Sequence, residues 1–280
     1  MNRNHTRFFA LACLMVLVTA AASAQTKGTV TFGGLKNLQY VGDYYNGGGP
    51  TNLGLPFGAN AQAIVQAAKG GSGSFINNPG GYPVMFFQTG SSVVVNVTNG
   101  VGVSVWFSYS ALKPGGFTVY DGQNGMGNVL ANITLNPNNS GCSPYAMCVW
   151  TPVAVPLTTS AGSIRFSGTA NYIAIGSIHF GQLLTTATTV TTSQNPSQPC
   201  ASATYTATVL GTAGVVPANS QNGLVNFRAG NKILAKNVPL VNGSASITAT
   251  LPSGSIVTAT FKATASFNTS HGSVTMECLP

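Results

Sequence analysis

Acidic residues are almost absent from this 280-residue chain. Only Asp43, Asp121 and Glu277 carry a carboxylate side chain, and charged residues of both signs make up 5% of the sequence. An average globular protein has about 25%. Ordinary glycoside hydrolysis needs two carboxylates, and only Asp43 and Asp121 could supply them outside the last hundred residues. The scarcity of acids therefore argues against an enzyme.

Nucleophilic and metal-ligating groups are equally sparse. His179 lies in an alternating stretch, IGSIHFG, and we interpret it as a packed or solvent-facing strand residue, while His271 lies in a loop without a visible partner. A hydrolytic triad also needs an orienting acid, and no C-x-x-C or histidine at ligand spacing indicates zinc. We predict no catalytic residue, no cofactor and no metal ligand.

Residues 120–128, YDGQNGMGN, form the segment most similar to a ligand loop. A calcium loop usually supplies two or more carboxylates, but Asp121 has only Gln123 and Asn124 beside it. A phosphate loop needs a lysine and a following helix, and neither follows. Glycine and asparagine are what tight turns with positive φ require, so we predict a strand connection.

The first 24 residues have the pattern of a signal peptide. Two arginines precede an apolar run at 8–22, and Ala22-Ser23-Ala24 provides the small residues of a cleavage site. The run is shorter than the roughly 20 residues of a spanning helix, although an uncleaved anchor is the alternative. No later segment could span a bilayer and no sorting tail is visible. We expect the mature chain, from Gln25, to be secreted, at the cell surface or periplasmic.

Cleavage would leave a basic protein. Two of the 11 lysines and arginines lie before residue 25, so nine remain against three acids, a net charge of +6. These cations are scattered, and no run resembles a nucleic-acid patch. A weak attraction to acidic polysaccharide or lipopolysaccharide is physically reasonable, and a solvated surface with few acids is the alternative.

Four cysteines remain after the signal, an even number in an oxidising compartment. Cys142 and Cys148 enclose a short loop, whereas Cys200 and Cys278 lie near the two ends of the last hundred residues. Four cysteines allow three pairings. The pairing 142–148 with 200–278 fits the domain division given below.

The first region has the alternation of β-strands. Period-two runs of β-branched and aromatic residues indicate half-buried strands, and Asn99-Gly100 is a hairpin signal between two such runs. FTVYDG and NVLANITL predict a second hairpin, and residues 59–68 could hold a short helical turn. The alternating residues are Val93, Val95, Val97, Val101, Val103, Val105, Phe107 and Tyr109, then Phe117, Val119, Val129, Ala131, Ile133 and Leu135.

The composition changes near Leu183. The stretch TTATTVTTSQNPSQPC is rich in threonine, like a linker that leads into an edge strand, and short strands with regular turn signals follow it. Such spacing suggests a sandwich. We predict an all-β protein of two β-sandwich domains, residues 25–182 and 183–280.

The second region resembles the bacterial Ig-like domain of the group 3 type, a spacer or adhesion module of surface proteins. The family reads as a threonine-rich strand, N-P, G-x-V-x-F-x-x-G, L-x-x-G-x-A and a late Phe. The resemblance covers about residues 184–280 and implies no catalytic residue. The matching positions are Asn195, Pro196, Val225, Phe227, Gly230, Leu240, Gly243, Ala245 and Phe267.

The first region, about residues 28–181, resembles the jelly-roll-like ectodomain of bacterial exported proteins that carry a PEP-type sorting signal. The matching stretches include TFGGLKNLQYVGDYYNGG, PVMFFQTGSSVVVNV, FTVYDGQNGMGNVLANITL and IRFSGTANYIAIGSIHFG. Relatives often have a Glu and an Asp that could hold a structural calcium. This chain has Gly33 and Gly176 there, which argues against that metal.

Together these patterns favour a non-catalytic structural, adhesive or binding protein of the bacterial exterior. The partner would be an extracellular polysaccharide or an envelope protein. A lectin-like module is the alternative, and it would use exposed aromatic side chains. Trp106 is out of phase with Val105 and Phe107, so it should face the other side of its sheet, as a platform or as covered core. The aromatic candidates are Tyr44, Tyr45, Tyr82, Trp106, Tyr145 and Trp150.

Overall fold

The computed structural model of the chain describes residues 25–81, 83–194, 196, 198–215 and 223–279. The predicted signal peptide, residues 1–24, and Tyr82 lie outside these ranges. The described chain is all-β, and it contains no helix long and apolar enough to cross a membrane. Its only helical segments are short 3-10 turns at Ala67–Lys69 and Thr212–Gly214.

The first ten strands form a sandwich of two antiparallel sheets. One sheet has the order β2-β3-β10-β5-β8, with β1 also paired to β10; we call it the groove sheet, after a groove on its outer face that is described below. The other, the back sheet, has the order β4-β9-β6-β7. The strands are β1 Gly28–Val30, β2 Gln62–Ile64, β3 Val84–Phe86, β4 Ser92–Val101, β5 Ser104–Ala111, β6 Gly115–Tyr120, β7 Val129–Leu135, β8 Thr151–Pro156, β9 Ala161–Gly168 and β10 Ile173–Phe180.

The core of this sandwich lies where the alternating residues of the two sheets meet. Phe107 of the groove sheet packs against Phe117 and Phe166 of the back sheet, with ring centroids 4.6 and 5.0 Å apart. All three side chains are fully buried. Burial of such rings contributes roughly 1.5–3 kcal/mol each, so these rings anchor the two sheets to each other.

The hairpin predicted at Asn99-Gly100 is wrong. The two runs around it are β4 and β5, which belong to different sheets: β4 pairs with β9, and β5 pairs with β10 and β8. The chain crosses between sheets at Gly102 and Val103, and Val103 has a φ of 69°. Alternation shows which face of a strand is buried, but it does not show which strand lies beside it.

The second predicted hairpin is confirmed, because β6 and β7 pair antiparallel. Its predicted buried face is buried only in part: Leu135 is fully buried, Ala131 and Ile133 are half-buried, and Val129 is 56% exposed, since the register shifts between Val119 and Tyr120. A helical turn is present at the end of the segment 59–68, where the 3-10 turn Ala67–Lys69 begins, and residues 62–64 of the segment form strand β2.

The last seven strands form a second sandwich. The threonine sheet has the order β11-β12-β15, and the basic sheet has the order β14-β13-β16-β17. The first half of the threonine-rich stretch, for which the sequence suggests a linker, is itself the edge strand β11. The strands are β11 Thr186–Thr192, β12 Ser202–Gly211, β13 Leu224–Ala229, β14 Lys232–Pro239, β15 Ser244–Thr250, β16 Ile256–Phe261 and β17 Ser270–Thr275.

The second sandwich has its own core, which includes the fully buried side chains of Tyr205, Phe227, Phe261 and Phe267. Both disulfides have the predicted pairing: Cys142 joins Cys148, and Cys200 joins Cys278 across 78 residues. Cys278 is buried at the edge of this core, and Met276 lies deeper in it.

The two sandwiches meet along strand β5 and strand β8. The side chains of Trp106 and Ala154 lie on the outer face of their sheet, away from the first core, and pack against the second core. The hydroxyl of the buried Ser266 donates a hydrogen bond to the carbonyl of Leu157 at 3.1 Å. Leu184, which begins the second region, is also buried in the second core. The junction is therefore packed as well as hydrogen-bonded.

The two disulfides should differ in their contribution to stability. In the chain-entropy treatment a bond that closes a longer loop stabilises more, about 4 kcal/mol for Cys200–Cys278 and about 2 kcal/mol for Cys142–Cys148. We expect the double variant Cys200→Ala/Cys278→Ala to lose more free energy of unfolding than Cys142→Ala/Cys148→Ala in denaturant titrations. Equal losses would contradict this assignment.

Candidate binding groove

A groove of about 560 Å³ lies on the outer face of the groove sheet, beside the junction. We call it the tryptophan groove. It contains both tryptophans of the chain. Its lining residues are Thr29, Thr31, Pro79, Gly80, Trp106, Ser108, Trp150, Pro152, Ser177 and His179.

The floor of the groove includes a row of three side chains, Thr29, His179 and Trp106, from neighbouring strands, and the row continues outside the groove to β8. Thr29 of β1 pairs with His179 of β10, His179 pairs with Trp106 of β5, and Trp106 pairs with Ala154 of β8. The imidazole of His179 stacks on the indole of Trp106, with centroids 3.4 Å apart and planes within 3°. One face of Trp106 is therefore covered, and a ligand would meet the remaining part of the ring.

His179 is held in place by polar contacts at its other end. Its Nδ1 lies 3.0 Å from the hydroxyl of Thr29, which also accepts a hydrogen bond from Nε2 of Gln182 at 3.0 Å. Burial lowers the pKa of His179, and a hydrogen bond with Gln182 opposes the shift only in part. The imidazole is thus neutral at neutral pH, and no described residue in the lining of the groove is acidic.

The walls of the groove are fixed by close packing. Nε1 of Trp150 donates to the carbonyl of Ile76 at 2.8 Å, and its ring lies edge-to-face against Phe75. On the other side, a Cβ on Gly80 would lie 2.2 Å from the hydroxyl oxygen of Ser177. Only glycine permits this approach of the 77–81 loop to the sheet, so the groove has a preformed shape.

The aromatic candidates divide into groove and core residues. Trp106 faces away from Val105 and Phe107, as its phase predicted, and it is partly covered. Trp150 joins it in the groove. Tyr45 is not a surface platform: it is 4% exposed, and burial raises its pKa to about 12.

Tyr44 packs against Tyr45 at 5.1 Å, and its hydroxyl donates to the carbonyl of Gly33 at 3.2 Å. Tyr45 therefore lies in the first core and Tyr44 packs against it, and neither residue lines the groove. Tyr145 is half-buried in the Cys142–Cys148 loop and is also outside the lining. Tyr82 lies outside the described residues.

His179 is the groove residue whose role the sequence did not indicate. It shares a face with Ser177 by alternation, but its partner Trp106 is 73 positions away in the chain, and only strand pairing brings the two together. A cross-strand aromatic pair has no local signal unless the neighbouring strands are known.

The YDGQNGMGN segment is a strand connection, as predicted. Both carboxylate oxygens of Asp121 accept hydrogen bonds from Asn128 at 2.7 Å, one from the backbone and one from the side chain. These bonds lower the pKa of Asp121. Asn124 and Gly125 have φ of 60° and 70°, which explains the residue types. The loop uses its only carboxylate to close itself.

Gly176, which stands where the resembling proteins often have the Asp of a calcium site, has no room for a side chain. A Cβ on Gly176 would lie 2.4 Å from the hydroxyl of Ser108 and 2.8 Å from the amide oxygen of Asn78. Within the described ranges, no group of three or more His, Cys, Asp or Glu side chains could hold a metal ion.

Comparisons with known proteins do not assign a family. No family model and no curated protein sequence matches the chain. A family 6 carbohydrate-binding module is 7% identical, with a TM-score of 0.31 over 56% of this chain and 95% of its own. A carbohydrate-binding module of Cellvibrio mixtus lichenase 5A is 14% identical, with a TM-score of 0.27 over 44% and 88%.

The N-terminal domain of a Streptococcus gordonii adhesin is 10% identical, with a TM-score of 0.26 over 70% of this chain and 62% of its own. At these TM-scores and identities, the similarities do not establish a common fold or a common function.

The neutral state of His179 predicts a pH dependence of stability. Its folded pKa is below its ordinary value of 6.5, so the unfolded chain binds more protons between the two values. Stability should then fall as the pH drops through about 6.5. We expect His179→Gln to reduce the fall in Tm between about pH 7.5 and pH 5.5, measured by thermal unfolding.

The matched control is His271→Gln, which changes an exposed histidine of the second sandwich; His271 lies in strand β17 and not in the loop that the sequence suggests. It should retain the pH dependence of the unaltered protein. A pH dependence that is the same in the His179 variant and in the unaltered protein would contradict the role of burial at this site.

Proposed function

We propose that this chain is an extracellular, non-catalytic binding protein that takes its ligand in the tryptophan groove. The observation that carries the proposal is the groove itself: a preformed cleft of the first sandwich beside the junction, with two tryptophans, two prolines and several hydroxyls in its lining. Its volume is within the range of about 300–1,000 Å³ that is typical of ligand sites.

A binding role fits this lining better than catalysis. The candidate base in the groove, His179, has Thr29 and Gln182 as its hydrogen-bond partners, so no carboxylate orients it. General acid–base or nucleophilic chemistry needs a second group within reach of the base. The hydroxyls of Ser108 and Ser177 have no acidic neighbour among the residues that line the groove.

The second sandwich would act as a spacer between the groove and the surface to which the protein attaches. Its strands follow the neighbour relations of an Ig-like fold: the first, second and fifth form one sheet, and the third, sixth and seventh lie in order in the other. This order and the sequence resemblance support an Ig-like spacer, residues 183–280. The signal-peptide pattern and the two disulfides support secretion.

An uncharged carbohydrate is the ligand class that the groove favours. Sugar rings present apolar C–H faces and hydroxyl edges, and the groove combines indole and proline surfaces with the hydroxyls of Thr29, Ser108 and Ser177. A neutral His179 adds no charge that would require an anionic partner. An envelope protein that inserts an uncharged loop is the second candidate.

A blocking substitution tests the groove without removing a core residue. Pro152 is exposed in the edge strand β8 and lines the groove, so Pro152→Arg should fill the cleft with a charged side chain. We expect affinity for a neutral oligosaccharide found in a binding screen to fall at least about tenfold, as measured by isothermal titration calorimetry.

Pro239→Arg is the matched control, because Pro239 is an exposed proline of another edge strand, β14. Its affinity should equal that of the unaltered protein. Equal binding by both variants would show that the ligand does not use the groove. If no neutral glycan of the screen binds the unaltered protein, the ligand would be a protein, and the same two variants would test whether that protein binds in the groove.

A further inference from the structure

The cations of the second sandwich are segregated on one of its two sheets. Its four lysines and arginines all belong to the basic sheet or follow it directly: Arg228 on β13, Lys232 and Lys236 on β14, and Lys262 just after β16. They looked scattered in the sequence because strand pairing, and not chain order, brings them together.

Two of these cations line a shallow groove of about 260 Å³ on the outer face of the sheet. Arg228 and Lys236 share this lining with Asn226, Ile233 and Thr260. Neither cationic side chain has a hydrogen bond or an ion pair with any residue that the structure describes. Both are exposed, so their charges are available to a partner.

Arg228 lies among hydroxyl and amide side chains in the pairing pattern. Arg228 pairs with Thr258, and Thr258 pairs with Ser273; Asn226 pairs with Thr260, and Thr260 pairs with His271. Lys262 donates to the amide oxygen of Asn237 at 3.0 Å. The face therefore offers positive charge, amides and hydroxyls at the repeat distances of a sheet.

The only acid of this sandwich, Glu277, is not among the residues that line the groove. It lies two residues beyond the end of β17, on the side where β17 pairs with the start of β16. The opposite, threonine sheet provides the contrast: its cross-strand rows, such as Thr191–Thr206–Ser246, are uncharged.

We propose that this basic groove binds a carboxylated polysaccharide. The guanidinium of Arg228 can hold a carboxylate through two parallel hydrogen bonds, and the ammonium of Lys236 can reach a second one. Asn226 and Thr260 suit the sugar hydroxyls between the acids. Ile233, which is 41% exposed, offers an apolar contact to a sugar ring.

A nucleic acid fits this surface less well. Single strands are held mainly by aromatic stacking on a basic groove, and no aromatic residue lines this one. Duplex binding depends on many phosphate contacts, whereas the sheet offers four cations. Repeating carboxylates with hydroxyls between them match the observed side chains more closely.

The test is binding of the mature protein, residues 25–280, to alginate, with dextran as the neutral polymer and DNA as an unrelated polyanion. We expect alginate to bind and dextran not to bind at this site. Arg228→Ala/Lys236→Ala should weaken alginate binding about tenfold, since each exposed charge contact contributes only modestly to affinity. Added salt should weaken it too.

The control variant Lys36→Ala/Lys69→Ala removes the same charge from exposed positions of the first sandwich, and it should bind alginate as the unaltered protein does. Equal weakening in both double variants, DNA binding as tight as alginate binding, or no alginate binding at all would overturn the proposal. Pro152→Arg should leave alginate binding intact, so the two proposed sites succeed or fail separately.

Discussion

Trp106 is the residue on which the arrangement of the two sandwiches depends. Strand β5 buries Val105 and Phe107 in the first core, and the residue between them must then face outward. A large apolar ring on that face needs cover. His179 covers one face of the ring and the second core packs against it. The junction and the groove beside it therefore arise from the same side chain.

The scarcity of charge has two structural consequences. The outer face of the threonine sheet is covered mainly by the hydroxyl groups of threonine and serine and not by charged side chains. The few charges that remain can be concentrated without neighbours that neutralise them, as on the basic sheet. A surface of this kind carries a neutral groove on one domain and a positive face on the other, and the two would recognise chemically different partners.

Local patterns in the sequence predicted a good part of this fold. Alternation located the main strands and the outward direction of Trp106, and cysteine spacing favoured the disulfides that the structure contains. The strand partners were not predictable in the same way. Asn99-Gly100 resembles a hairpin, yet β4 and β5 belong to different sheets, and the stacking of His179 on Trp106 depends on pairing between distant strands. Tyr45 is a candidate from the sequence because it is aromatic, but residue type does not show burial, and its ring fills the first core.

The central claim is that the tryptophan groove holds the ligand. The two indole N–H signals of the protein provide the most direct measurement, since the only two tryptophans line that groove. In nitrogen-15 correlation spectra, saturation with a bound neutral oligosaccharide should shift both indole signals and leave the amides of the basic sheet unchanged. A ligand that binds the protein but leaves both indole signals in place would contradict the account.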